Sequence, residues 1–185
     1  MPAQVHRAAV FLDRDGTLNR AYTDGHTTAP PSSVAKLEIL PGVVDALGRL
    51  KQAGFALIVV TNQPDVSRGT QRREVVETIN ECLARQLPVD EIVCCYHDDA
   101  DACRCRKPEP GMLVDSAARH GLRLEASYMI GDRWTDIEAG RRAGCTTILL
   151  GNAAGEQMTV APDYEASNLS DAARIILGLP QGAQR

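Results

Sequence analysis

What most constrains this chain is a rhythm: short continuous apolar runs alternate with stretches whose apolar residues recur every third or fourth position. The first run, Ala8 to Leu12, suits a strand buried on both faces, and it ends at Asp13. Val43, Val44, Leu47 and Leu50 then follow helical spacing, and Gly54 supplies the stop that glycine makes cheaply after a helix. Phe55 to Val60 reads as a second strand ending at Thr61-Asn62-Gln63, and Val75, Val76, Ile79 and Leu83 mark a second helix. A strand over Glu91 to Tyr96, a helix from about Gly111 to His120 and a strand over Tyr128 to Ile130 come next. A helix from about Thr135 to Ala143 and a strand from Thr147 to Leu150 complete the series. This alternation predicts an α/β fold, a single doubly wound, Rossmann-like domain with a mainly parallel sheet, its core running from about residue 8 to residue 150. Two segments break the rhythm and are expected to be loops: Arg20 to Lys36, over the sheet's C-terminal edge, and Gly151 to Asn168, before a short helix around Ala172 to Leu177.

Composition narrows the class of function. The 185 residues suit one domain, here taken as residues 1–185. A net charge of -4, scattered basic residues and only seven aromatic side chains argue against a nucleic-acid surface. No apolar stretch approaches the roughly 20 residues of a membrane span, and Met1 to Arg7 lacks the apolar segment of a signal peptide. The expectation is a cytoplasmic protein, a monomer, with a small molecule as its partner.

Ligands of open α/β sheets bind at the carboxyl ends of the strands. Here those ends carry Asp13-Arg14-Asp15-Gly16-Thr17, then Thr61-Asn62, then, in the segment after the third strand, Arg106-Lys107, then Gly131-Asp132 with Asp136 one helical turn on. Several carboxylates in one crevice repel one another unless a cation neutralises them, and an all-oxygen set suits Mg²⁺ with a phosphate alongside. Lys107, Thr61 and Asn62 would meet the phosphate oxygens. Taken singly, an Asp-x-Asp is usually a turn and a lysine a solvated charge; the ordered set is what points to a site.

Strand alternation puts Cys95 and His97 on one face, and Cys103 and Cys105 form a second i, i+2 pair shortly after. Together they make a Cys₃His set of the kind that holds structural Zn²⁺ and would pin the loop bearing Arg106 and Lys107. The plainer alternative is a group of reduced, half-buried thiols beside a solvated histidine. Cys82 and Cys145 are expected in the core, and His6, His26 and His120 carry no assigned role beyond surface or loop.

The four polar groups resemble, in order, the motifs of the haloacid dehalogenase superfamily, over about Val10 to Leu150. That resemblance implies that Asp13 attacks phosphorus to form an aspartyl-phosphate, while Asp15 protonates the leaving alcohol and then activates water. It also implies Mg²⁺ held by Asp13, the Asp15 backbone carbonyl and Asp132, with Asp136 supporting them from behind. With the Cys-x-His and Cys-x-Cys-Arg-Lys-Pro segments added, the chain looks like the capless, zinc-binding branch containing heptose 1,7-bisphosphate 7-phosphatases and histidinol-phosphate phosphatases. In that branch Arg106 would contact substrate beside Lys107, and Arg68 is a further candidate. The branch commonly has a Gly-Tyr-Val-like run after the first motif and Ser-Gly after Thr-Asn-Gln. This chain has Arg20 to Gly25 and Pro64-Asp65 instead, and a short spacer between His97 and Cys103, so its substrate-selecting loops differ. The implied substrate is a heptose 1,7-bisphosphate, losing its 7-phosphate. Histidinol phosphate, another sugar phosphate, and a non-catalytic phosphate-binding module are the alternatives.

Overall fold

The computed structural model describes residues 7–24, 27–151 and 160–178. Its elements are β1 (Ala9–Leu12), β2 (Tyr22–Asp24), β3 (Thr27–Ala29), α1 (Val43–Gln52), β4 (Ala56–Asn62), α2 (Arg73–Gln86) and β5 (Glu91–Cys95). They continue as α3 (Gly111–His120), β6 (Tyr128–Gly131), α4 (Trp134–Ala143), β7 (Thr146–Leu150), β8 (Tyr164–Ala166) and α5 (Leu169–Ile176). Six strands form one sheet in the order β5-β4-β1-β6-β7-β8, and every pairing in it is parallel. The chain therefore winds outward from β1 to one edge, then returns and winds to the other. The crevice such a reversal opens lies at the carboxyl end of β1, between β4 and β6.

Period-two alternation divides the strand residues between two packed layers. Val10, Leu12, Leu57, Val59, Ile130 and Ile148 face Val43 and Leu47 of α1, Ile79 and Leu83 of α2, and Leu169 and Ala172 of α5. Ala9, Phe11, Ile58, Val60 and Met129 face Met112 and Leu113 of α3 and Ala139 of α4. All four residues of β1 are fully buried, and each larger apolar side chain hidden this way contributes roughly 1.5–3 kcal/mol. The register sets Leu12 beside Val59 and Ile130, so the residues that follow on all three strands emerge at one level. Among the described residues no helix is long and apolar enough to cross a membrane.

The structure corrects both loop assignments. Arg20 to Lys36 contains the antiparallel pair β2 and β3 and a 3-10 turn over Val34–Lys36, and the Tyr22 hydroxyl donates to the Lys36 carbonyl at 2.5 Å. Gly151 to Asn168 contains β8, the last strand of the sheet, and α5 starts at Leu169, where the Asn168 side chain accepts from the Asp171 N–H. These strands have three residues each, too few to show an apolar period. β4 also outruns its apolar stretch, because Thr61 and Asn62 keep pairing with Cys94 and Cys95 of β5.

Gly140 lies where α4 presses on the sheet. A Cβ there would meet Met129 Cβ at 2.6 Å and Thr147 Cγ2 at 2.8 Å. Helix propensity favours alanine over glycine by about 1 kcal/mol, whereas overpacking costs about 1–3 kcal/mol. Gly140→Ala is therefore expected to lower the urea midpoint with an unchanged m-value; a raised midpoint would show that the helix lifts off freely.

Candidate active site

Asp13 leaves the end of β1 with its N–H still bonded to the Ile130 carbonyl at 2.9 Å, which fixes its backbone in the crevice. Its Oδ1 accepts from Lys107 Nζ at 2.6 Å. The same ammonium donates to Asp136 Oδ1 at 2.5 Å and to the Val60 carbonyl at 2.8 Å, so all three of its protons are used inside the protein. Carboxylate oxygens of Asp13, Asp132 and Asp136 lie within 4.8 Å of one another. One ammonium among three buried or half-buried carboxylates leaves the group short of positive charge.

The titration of the group reflects this shortage. Burial, then the neighbouring Asp136 and Asp15 carboxylates, outweighs Lys107 and pushes Asp13 up to about 6. Burial followed by repulsion from Asp13 and Asp136 pushes Asp132 up to about 8. Burial works against the Lys107 charge, but Asp13 and Asp136 more than compensate and hold it protonated. Asp132 Oδ1 is buried without a hydrogen-bond partner, the condition of a ligand atom prepared for a cation. Gly16 lets the loop come this close: its φ is +94°, and a Cβ there would collide with the Asp132 carboxylate. Clustered hard oxygen donors fit an ion of the magnesium type.

Asp15 lines the same cleft, its carboxylate surrounded by donors that the sequence reading did not single out. Asn19 Nδ2 donates to Oδ1 at 2.9 Å, Gln63 Nε2 to Oδ2 at 2.7 Å, and Arg14 Nη2 to Oδ2 at 2.9 Å. Gln63 also donates to Thr61 Oγ1 at 2.9 Å. The signal in the sequence was faint: polar residues at buried positions, with Arg14, Asn19 and Gln63 at most 1% exposed.

Asn62, expected to meet phosphate, lines the cleft and is also engaged with the lysine loop. Its Oδ1 accepts from the Lys107 N–H and its Nδ2 donates to the Lys107 carbonyl, both at 3.0 Å. Thr61, Arg68 and Arg106 also line the cleft, whose volume is about 570 Å³, as do Arg133 and Trp134 at the start of α4. Arg106 pairs with Asp99 at 2.8 Å, and Arg68 lies 3.6–3.8 Å from Asp65, Asp98 and Asp99. Ser67 Oγ donates to Asp101 at 3.0 Å, tying the loop after β4 to the loop after β5.

The expected cysteine set converges. Cys105 Sγ lies 2.9 Å from Cys95 Sγ, 3.4 Å from Cys103 Sγ and 3.2 Å from His97 Nδ1, and all four donor atoms fall within 4.8 Å of one another. One ion with bonds of about 2.0–2.3 Å can reach all of them. The cluster grips the lysine loop directly, since the Arg106 N–H donates to Cys103 Sγ at 3.4 Å. Burial alone would raise the Cys103 thiol, but that bond and the hydrogen bonds within the cluster lower it to about 7. Cys145 is buried in the core as expected. Cys82 is a correction: it is half-buried on α2, with Gln86 Nε2 donating to its sulfur at 3.2 Å. His120 pairs with Glu91 at the surface, and His6 and His26 lie outside the described residues.

A family model described as HAD-hydrolase-like matches residues 104–172. The D-glycero-beta-D-manno-heptose-1,7-bisphosphate 7-phosphatase of Escherichia coli K12 is 34% identical over 191 residues, covering 95% of this chain and 97% of that protein. The protein of the same name from Photorhabdus laumondii is 34% identical, covering 92% of this chain and 96% of its own length. A crystal structure of the D,D-heptose 1,7-bisphosphate phosphatase of Bordetella bronchiseptica, complexed with magnesium and phosphate, superposes with a TM-score of 0.79 at 31% identity, covering 92% of this chain and 98% of that one. The chain belongs to the HAD-like hydrolase family, as one of its phosphatases.

Proposed function

We propose that the chain removes the 7-phosphate of a heptose 1,7-bisphosphate, with Asp13 as nucleophile and Asp15 as general acid and base. The observation that carries the chemistry is the pairing of Asp13 with a buried ammonium beside two further carboxylates, one holding an unpartnered oxygen. Similarity along nearly the whole length to heptose bisphosphate phosphatases supports the substrate. A cleft of about 570 Å³ with Arg68 and Arg106 in its wall suits a sugar carrying a second phosphate.

Asp13 attacks phosphorus as the bond to the leaving oxygen breaks, and Asp15 gives that oxygen its proton. Water, deprotonated by Asp15, then attacks the aspartyl-phosphate, returning Asp13 and releasing inorganic phosphate. Asp13, Asp132 and the Asp15 carbonyl would hold Mg²⁺, with Asp136 keeping Lys107 in place behind them. When bound, the ion offsets charge on the phosphoryl oxygens and on the carboxylates. Cys95, His97, Cys103 and Cys105 would hold Zn²⁺, which fixes the loop that presents Arg106 and Lys107. The carboxylates of Asp65 and Asp99 in the cleft wall favour one second reading, a substrate with a cationic end such as histidinol phosphate.

A panel of heptose 1,7-bisphosphate, histidinol phosphate and an aryl phosphate, with and without Mg²⁺, tests the assignment. The highest kcat/KM is expected for the heptose bisphosphate; a preference for histidinol phosphate would replace the substrate, and turnover indifferent to Mg²⁺ would sink the mechanism. Asp13→Asn, nearly isosteric, is expected to cost on the order of 10⁴-fold or more in kcat while the thermal midpoint is kept, and retained turnover would remove Asp13 as nucleophile.

The raised carboxyls give a pH signature. In metal-free protein the stability contributed by Asp13 and Asp132 is fully present below the ordinary value of 3.8 and is lost as pH rises through about 6 and about 8. Mg²⁺ is therefore expected to raise the melting temperature more at pH 8 than at pH 5; equal shifts would count against these ligands. Cys103→Ser is expected to lower bound zinc by elemental analysis and to speed tryptic cleavage after Arg104 and Arg106. Wild-type protein that is free of zinc when purified without chelator would dispose of the four-ligand site.

A further inference from the structure

We propose that Arg14, steadied by Asn80 of α2, is the positioning residue that fixes the plane of the Asp15 carboxylate for proton transfer, an inference that rests on the phosphatase reading above. Arg14 is fully buried, so its guanidinium has to find partners inside the protein. Its Nε lies 3.2 Å from each Asp15 oxygen and its Nη2 is 2.9 Å from Oδ2, a fork that sets the orientation of a carboxylate as well as its position. The remaining arm, Nη1, donates to Asn80 Oδ1 at 2.7 Å. Asn19 and Gln63 each hold one oxygen of Asp15 only.

An ionised carboxylate offers about four lone-pair sites, and these donors occupy them. Exchanging a proton with substrate therefore displaces a single contact, from Asn19 or Gln63, while the forked contact with Arg14 keeps the carboxyl aimed. In the first half-reaction the Asp15 carboxyl O–H passes its proton to the leaving oxygen, which keeps the electron pair of the broken P–O bond. In the second half-reaction the resulting carboxylate takes a proton from the attacking water.

Asn80 does not line the phosphate cleft. It borders a separate recess of about 450 Å³ between α2 and β5, so shortening it loosens the Arg14 arm without opening the packed core or touching substrate.

The test compares kcat/KM for an alkyl phosphate, whose leaving oxygen needs a proton, with that for p-nitrophenyl phosphate, whose leaving group departs as a stable anion. For Asn80→Ala in the full chain with Mg²⁺, the alkyl substrate is expected to lose roughly ten-fold and the aryl substrate less than about two-fold. Arg14→Lys keeps the charge but not the fork, and the same leaving-group-dependent loss is expected. Asn80→Asp keeps the acceptor and is expected to restore the alkyl rate. Equal losses on both substrates, no loss on the alkyl phosphate, or failure of Asn80→Asp to restore it would overturn the proposal. If the wild type lacks Mg²⁺-dependent turnover of p-nitrophenyl phosphate, the phosphatase reading falls and takes this inference with it.

Discussion

The Lys107 ammonium is the joint on which this structure hangs. Burying an isolated ammonium costs several kcal/mol, and the cost is offset here because all three protons are met, two of them by carboxylates. The lysine arrives from the far side of β4, on the connection between β5 and α3, and joins the end of β1 to the start of α4. Because one positive charge cannot neutralise Asp13, Asp132 and Asp136 together, the same contact that closes the fold leaves a demand for a cation at its centre. Folding and chemistry draw on the same charges.

A loop that carries such a residue has to be held. Two devices do this from opposite sides. Asn62, still in strand geometry at the end of β4, clamps both backbone groups of Lys107, and Cys103 accepts the N–H of Arg106 one residue earlier. The Cys₃His cluster is therefore joined to the lysine loop through the backbone of Arg106, so whatever orders the cluster also orders the residue beside Lys107. Ser67 adds a third tie by joining the Arg68 loop to the same segment.

Much of this was legible in the sequence because it rests on local pattern. The buried central strands announce themselves as unbroken apolar runs, and the parallel sheet places the residues after them in one crevice, so Asp13, Thr61 and Asp132 could be read at strand ends and Lys107 in the segment that follows the third strand. The cysteine set was legible from strand alternation at Cys95 and His97. What escaped was stabilised from outside its own segment. β8 is a strand because β7 lies beside it, and β2 and β3 are strands because each pairs with the other. Asn62 and Thr61 carry the polarity of loop residues yet stay in the sheet because β5 runs alongside them.

The sequence by itself determined which atoms could do chemistry and on which strand ends they stand, since hydrophobic period and residue type suffice for that. Only the tertiary structure decided how those atoms are spent: that Lys107 binds Asp13 and Asp136 at once, that Asn62 serves the lysine loop, and that Arg14, wedged between two aspartates in sequence, folds back onto the second and reaches α2. The physical reason is range. Burial periodicity is recorded every few residues along the chain, whereas hydrogen-bond partners 45, 66 and 94 positions apart are chosen by the packing that brings them together.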